Sequence, residues 1–349
     1  MISIKIFLNY IFIYLFTFFI YIYPAITIIF LNFGLNFFNT VSLFVNVFPF
    51  ILTIYYFKSK NSSSVLKIII YNGIGVGFIG FNISSIGLLL TLFLKNTDKI
   101  GFISIFYIIL ISIVAFFNAT NINLKKISLK SKKIKKKTKV VFFSDVHLGS
   151  NSKKHLLKIF KKVSSINCDL VLIGGDLYDS SQFDLNELKI FKKIGKPILY
   201  VTGNHEFYLK NAAQKLSYLK NYNLNVIDNK PYLYQNLNII GIGDNQKLKF
   251  KERTIKKLYS KNKFNLILIH KPEIWKKLHK KIDLMLAGHT HNGQIFPFNF
   301  IVKTKFRNIY GLFQKKNSYL YTSSGSGCWG PKMRLGSVNE ILEITINSE

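Results

Sequence analysis

VVFFSDVHLG, residues 140–149, is a run of four apolar residues that breaks into a polar cluster carrying one carboxylate, Asp145, and one imidazole, His147. β-Branched and aromatic residues in an unbroken row read as a strand buried on both faces, as in a parallel sheet covered by helices. The pattern recurs at LVLI (170–173) before GGDLYD, ILYV (198–201) before TGNHE, LILI (266–269) before HKP and LMLA (284–287) before GHTHNG. Lys-rich amphipathic stretches separate the runs. The spacing therefore predicts an α/β domain over 139–349 with its site at the strand ends, where such sheets place their ligands.

Five of the seven His lie in these clusters, beside Asp and Asn. Asp145 and His147 stand two apart, as do His289 and His291, and on extended backbone each pair would face one side. Asp176 follows Gly174 and Gly175, which permit a tight turn. Asn204 and His205 are neighbours, so one can ligate while the other faces substrate, and His270 follows another buried run. The set comprises four imidazoles (His147, His270, His289, His291), two carboxylates and an amide oxygen. It exceeds what one tetrahedral zinc needs and suits two cations that share a carboxylate. His155 and His279, flanked by Lys, read as exposed helix residues, and Glu206 as a loop or cap residue.

Taken together, DVH (145–147), GDLYD (175–179), GNHE (203–206), His270 and GHTH (288–291) resemble the five-block signature of the calcineurin-like metallophosphoesterases. The later GHTHNGQIFPF and SSGSGCWGPKMRLGS are similar to the bacterial membrane-associated YkuE/YaeI-type branch. The resemblance implies a four-layer α/β/β/α sandwich with two mixed sheets. It implies that Asp145, His147, Asp176 and His291 hold one metal and that Asp176, Asn204, His270 and His289 hold the other, with Asp176 bridging. The ions would be Mn, Fe or Zn. His205 is similar to the family's acid for the leaving oxygen and Asp179 to a carboxylate behind a ligand. The expected reaction is hydrolysis of a phosphoester or pyrophosphate by hydroxide that the metals activate. A lipid-linked substrate, as in a relative that cleaves a UDP-diacylglucosamine pyrophosphate, is one expectation. A soluble nucleotide phosphodiesterase merely tethered to the membrane, and an inactive sensor or binding module, are the alternatives.

Ahead of this domain, residues 1–124 hold six Lys, no Arg and one acid, Asp98. Apolar stretches near 4–30, 36–57, 68–94 and 102–118 each reach the roughly 17–25 residues that cross a bilayer, so residues 1–118 read as about four transmembrane helices. Repetition on this scale excludes a cleaved signal peptide. With four spans, the N-terminus, the Lys58–Lys67 loop and the segment after Asn118 share one side. They carry 13 Lys against two, Lys95 and Lys99, on the other. The charge asymmetry predicts an integral protein of a bacterial inner membrane with its catalytic domain in the cytoplasm. Residues 119–138, including LKSKKIKKKTK (129–139), read as a basic juxtamembrane linker that meets membrane lipids.

The net charge of +32 does not by itself call for nucleic acid. Only Arg253, Arg307 and Arg334 among 48 basic residues offer the planar fork that specific phosphate or base contacts favour, so no specific nucleic-acid partner is expected. Cys168 and Cys328 lie far apart and form no metal or disulfide framework. In the Gly-rich segment 322–336, Trp329, Arg334 and backbone N–H groups are expected to border the site and contact substrate, Arg334 because it suits bidentate phosphate contact.

Overall fold

The computed structural model describes residues 2–36, 38–59, 64–181 and 183–349. The chain folds as two compact units, Met1–Phe117 with Gly330–Met333 and Asn118–Trp329 with Arg334–Glu349.

Among the described residues four helices, Ile4–Phe33, Thr40–Lys58, Val65–Leu90 and Thr97–Thr120, are long and apolar enough to cross a membrane, and all but the last turn of the fourth lies in the first unit. The break after the first is sharply built. Gly34, at φ 65, ends that helix in the left-handed conformation, and its N–H donates to Phe30 O. The Asn39 side chain then accepts from Val41 N and Ser42 N to start the next helix. Large apolar side chains such as Phe12, Phe44, Phe48 and Phe117 stand exposed around the helices, the expected outer surface of a bundle whose solvent is lipid. Of the loop lysines in the charge argument, Lys60 lies outside the described residues.

The second unit holds twelve strands: β1 (Ile122–Lys130), β2 (Thr138–Phe143), β3 (Leu170–Ile173), β4 (Ile198–Tyr200), β5 (Leu224–Val226), β6 (Pro231–Tyr234), β7 (Leu237–Ile242), β8 (Phe264–Ile269), β9 (Leu284–Ala287), β10 (Gly311–Lys315), β11 (Ser318–Thr322) and β12 (Asn339–Asn347). They form two six-stranded sheets in the orders β1-β12-β2-β3-β4-β5 and β10-β11-β9-β8-β7-β6. Both sheets are mixed. In the first, β12 runs antiparallel to β2 while β2, β3, β4 and β5 are parallel. In the second, β7, β8, β9 and β11 are parallel and β6 and β10 antiparallel at the edges.

Alternation along each strand explains the unbroken apolar runs. Val140, Phe142, Leu170 and Leu172 meet Leu266, Leu268, Leu284 and Leu286 in one core shared by the two sheets. The intervening Val141, Phe143, Val171 and Ile173 face Leu156, Ile159 and Val163 of the helix Lys153–Ser164. On the other sheet Ile267, Ile269 and Met285 pack with Ile255 and Trp275. Helix, sheet, sheet and helix are thus the four layers expected from the resemblance.

The segment expected to be a linker is corrected by the structure. Residues 122–130 pair along their whole length with Asn339–Asn347, in parallel, as the edge strand of the first sheet. Only Asn121 separates the helix ending at Thr120 from β1. The Lys-rich composition conceals the strand in the sequence, yet Ile122 and Leu129 are buried while Lys125, Lys126 and Lys130 point to solvent. Lysines on an open edge are a common guard against pairing with another chain.

Candidate metal centre

The ligand-type residues sit where β2, β3, β4, β8 and β9 end. Their backbone is not the extended one assumed for alternate residues. Asp145, His147, Asp176, His289 and His291 have φ of 54°, 50°, 50°, 72° and 48°, all in the left-handed region. Each costs a residue with a side chain about 1–3 kcal/mol unless its surroundings hold it. Here they do: Asp145 N and His147 N donate to Gly175 O and Asp176 O, both at 3.0 Å, and Gly288 N donates to His270 O at 2.9 Å. Asn204 is likewise helical rather than extended, with φ −81° and ψ −26°, and precedes the short helix His205–Tyr208. The paired ligands converge because alternate residues turn left-handed as the chain leaves its strand.

Among the described residues three groups of ligand-type atoms result: Asp145–His147–His291, Asp176–His270–His289, and His147–Asp179–His205, which shares His147 with the first. In the first, Nε2 of His147 and Nε2 of His291 are 3.2 Å apart, and His291 Nε2 is 3.5 Å from Asp145 Oδ1. In the second, His270 Nε2 lies 3.1 Å from His289 Nδ1 and 3.1 Å from Asp176 Oδ2. The same Asp176 oxygen is 3.9 Å from His147 Nε2, so one carboxylate faces both of these clusters. Donors held at about 2.0–2.2 Å from a common cation stand apart by distances of this order. Asn204 Oδ1 is buried without a hydrogen-bond partner, and the residues on both sides of it touch Asp176. A Cβ on Gly203 would come within 2.1 Å of Asp176 Oδ1, so only glycine fits there. An orphaned amide oxygen beside a shared carboxylate and four converging imidazoles fits two divalent cations.

Other polar groups hold these ligands. Asp179 accepts from Ser150 N at 2.8 Å and stands 3.3 Å from His147 Nδ1, which leaves Nε2 facing the cluster. His270 Nδ1 is 2.9 Å from Gly174 O and is oriented in the same way. Glu206, fully buried, accepts from Asp176 N, Leu177 N and Gly203 N at 3.2, 2.7 and 2.8 Å and ties the second ligand loop to the third. Its residue type gives no hint of this in the sequence beyond its place next to His205.

The electrostatics reflect crowding of like groups out of water. Burial pushes the Asp145 carboxyl up, while Asp176 is held well below the usual carboxylate range because His270 and its other imidazole neighbours outweigh burial. Burial pulls His270 down, but the charge of Asp176 prevails and raises it to about 10. Burial and the neighbouring His270 lower His289 to about 2, and burial lowers His205 to about 4 against the pull of Asp176. Burial, then Asp176, raises Glu206 to about 7. The opposed shifts of His270 and His289 follow from their contact, since two imidazoles 3.1 Å apart hold one extra proton between them and not two.

His205 stands at the rim of the clusters. Its backbone N–H donates to Asp176 Oδ1, its Nε2 is 3.9 Å from Asp176 Oδ2, and its ring touches those of His147 and Trp329. Trp329 is 52% exposed there and remains open to a ligand. Arg334 does not. Against expectation it is wholly buried, with Nε on Asn339 Oδ1 at 2.9 Å, Nη1 on His291 O at 2.9 Å, and Nη2 on Gly327 O and 3.2 Å from His291 Nδ1. A guanidinium with its donors met by protein acceptors braces His291 and cannot grip substrate. The backbone of 322–336 departs from expectation for the same reason: Ser326 N and Gly327 N donate to Ser144 O and Asp145 O and fasten the first ligand loop. His155, expected to be exposed, is half-buried with Nε2 2.6 Å from Ser326 O.

Comparison with known proteins agrees with this geometry. Residues 138–293, which span the first ligand strand through His291, match the calcineurin-like phosphoesterase family. The chain is 31% identical to an uncharacterized metallophosphoesterase of Helicobacter pylori over 72% of its own length and 71% of the relative's. It is 32% identical to one of Campylobacter jejuni over 69% of each chain. A transmembrane protein with a metallophosphoesterase domain from Bos taurus is 27% identical over 60% of this chain and 53% of that protein. Matches of this extent, covering the strands that carry the ligand clusters, establish that the chain belongs to the calcineurin-like metallophosphoesterases.

Proposed function

We propose that this metal-dependent phosphoesterase is anchored in a bilayer by its four apolar helices, faces the cytoplasm, and hydrolyses a phosphoester or pyrophosphate that is itself held in the membrane, such as a lipid-linked one. The observation that carries the membrane part is the single residue, Asn121, between the helix Thr97–Thr120 and β1. A domain joined so closely to a span stays within reach of headgroups.

Asp145, His147, Asp176 and His291 would hold one cation, and Asp176, Asn204, His270 and His289 the other. Two such ions supply charge that polarises a phosphoryl group and makes hydroxide available from water near neutral pH. The chain's own residues do the rest. Asp179 and the Gly174 carbonyl fix the ring faces of His147 and His270, so that lone pairs are presented without reorientation. His205 Nε2, at the rim, gives a proton to the departing oxygen. Burial lowers His205 to about 4, so its ring is neutral near pH 7 in the free site, and an anionic phosphate beside it would raise its hold on a second proton. Trp329 shields the leaving group side of the rim.

The test pairs metal analysis of the purified full-length protein with hydrolysis assays of a small activated diester and of lipid-linked phosphoesters in vesicles. Two metals per chain with turnover of a lipid phosphoester support the reading. Turnover of soluble nucleotides with no lipid substrate cleaved replaces it by a tethered phosphodiesterase, and absence of both metals and turnover by a binding module.

A further inference from the structure

From Leu284 to Asn339 the chain has no acidic residue, and in the second unit Lys303, Lys305, Arg307, Lys315 and Lys316 all stand exposed. Within this stretch large apolar side chains also face solvent, among them Phe296 at 49%, Phe300 at 57% and Ile301 at 59%. They belong to the short helix Phe298–Lys305 and the residues before it. The rings of Phe296 and Phe300 meet edge to face at 5.7 Å, and Lys303 Nζ lies 5.8 Å from the Phe300 ring centre. The patch is continuous with the catalytic rim. Gln294 donates to Trp329 O and accepts from Trp329 N, both at 2.9 Å, and Phe306, which ends the helix, packs on the His289 ring at 5.2 Å.

Exposed aromatics ringed by cations, with no acid for 56 residues, do not suit a water-facing surface of a protein that must avoid self-association. They match the chemistry of an anionic bilayer interface, where aromatic rings settle at headgroup depth and each nearby Lys or Arg adds about 1 kcal/mol of attraction. We propose that the face built by Phe296, Phe300 and Ile301, with Lys303 and Lys305, docks onto the anionic lipid surface and holds the rim at Trp329 and His205 against the headgroups. The docking face rests on the membrane-anchored reading and adds to it: the spans keep the catalytic domain near the bilayer, and this face sets which side of it meets the lipid. A substrate phosphate at headgroup level then enters the metal centre without leaving the membrane.

The test uses the full-length chain in nanodiscs of phosphatidylcholine and phosphatidylglycerol, with an environment-sensitive fluorophore on one introduced cysteine. Cys168 and Cys328 are buried and are left in place. Three sites are compared: Phe300→Cys; Leu233→Cys, 59% exposed on β6 at the opposite edge of the same sheet; and Phe106→Cys, 59% exposed on the fourth span. Spin-labelled lipid should remove most of the emission at positions 300 and 106 and leave position 233 bright. Replacing both Lys303 and Lys305 by Glu should restore emission at 300 alone. Quenching at 106 with position 300 still open to water overturns the docking face and leaves the anchor standing. Equal quenching at 233, or protection of position 300 from water without lipid quenching, as a second copy of the chain would give, overturns it as well. Failure to quench position 106 overturns the anchor itself.

Discussion

The backbone N–H of His205 donates to Oδ1 of Asp176 at 2.9 Å, while Oδ2 of the same carboxylate faces His270 and His147. The residue expected to handle the leaving-group proton is thus fastened to the residue expected to bridge the metals, and a change at Asp176 reaches both parts of the site.

Asp176→Asn should lose both metals together and with them measurable turnover, because a neutral amide cannot offset the repulsion of two cations. Metal stoichiometry of the purified variant by mass spectrometry decides it. Two retained ions with normal activity would remove the bridge.

His205→Ala leaves every proposed ligand in place, so metal content should stay near that of the parent while turnover falls by roughly 10²–10⁴-fold. The loss should shrink on esters with good leaving groups, which need no proton. Equal losses on activated and poor leaving groups would show that His205 positions substrate instead.

Arg334→Met should act through His291 and the fold. It takes the guanidinium from Gly327 O and Asn339 Oδ1 in a buried place, at about 1–3 kcal/mol for each group left unmet, while His291 O keeps the Gln294 N–H at 3.0 Å and Asn339 Oδ1 only the Cys328 thiol at 3.8 Å. Thermal unfolding should show a large drop, and the remaining folded protein should bind less metal. A substrate-gripping Arg would instead raise KM and leave stability alone.

Metal affinity should climb with pH. His270 holds its proton up to about pH 10 in the metal-free site, and an imidazole must give up that proton to ligate. The sign follows from the raised value: below about 10 the protonated form dominates, so each unit of pH lost should weaken binding at this cluster by about tenfold, one proton being released per ion. Calorimetry of metal binding in buffers of different ionisation heat measures the count. An affinity flat between about pH 7 and 9 would contradict it.

A reporter fused after Glu349 should act as a cytoplasmic one, given 13 loop lysines on that side of the four helices against two on the other. Activity of a reporter that works only outside the cytoplasm would mean a different number of spans.

Much of the site was legible because strands buried on both faces announce themselves as unbroken apolar runs. LVLI and LMLA coincide with β3 and β9 residue for residue. Spacing alone was not enough for the local geometry: the left-handed turns at Asp145, His147, Asp176, His289 and His291 are imposed by tertiary hydrogen bonds, which no two-residue period reveals. Arg334 misled because scarcity and residue type say nothing of depth, and its role depends on Asn339 and Gly327 folding over it. β1 was hidden under lysines, since its apolar partners come from β12, more than two hundred residues away. The edges β5, β6 and β10, and β11 beside β10, are short or half-polar, so their pairing shows only in three dimensions.

The place of β12 in the first sheet also sets an order of events during synthesis. β1 emerges directly after the fourth helix, yet its sheet neighbour, β12, is made more than two hundred residues later. β12 also separates β1 from β2, so β1 cannot pair with the strand that follows it. Until Asn339–Asn347 has been made, β1 has no neighbour in its sheet, while β2 through β5 can assemble without it. The contacts that close the domain join residues of very large sequence separation, which makes this closure the slow step of folding. A nascent chain halted before Asn339 keeps its apolar helices but lacks the strand that joins β1 to the rest of the sheet.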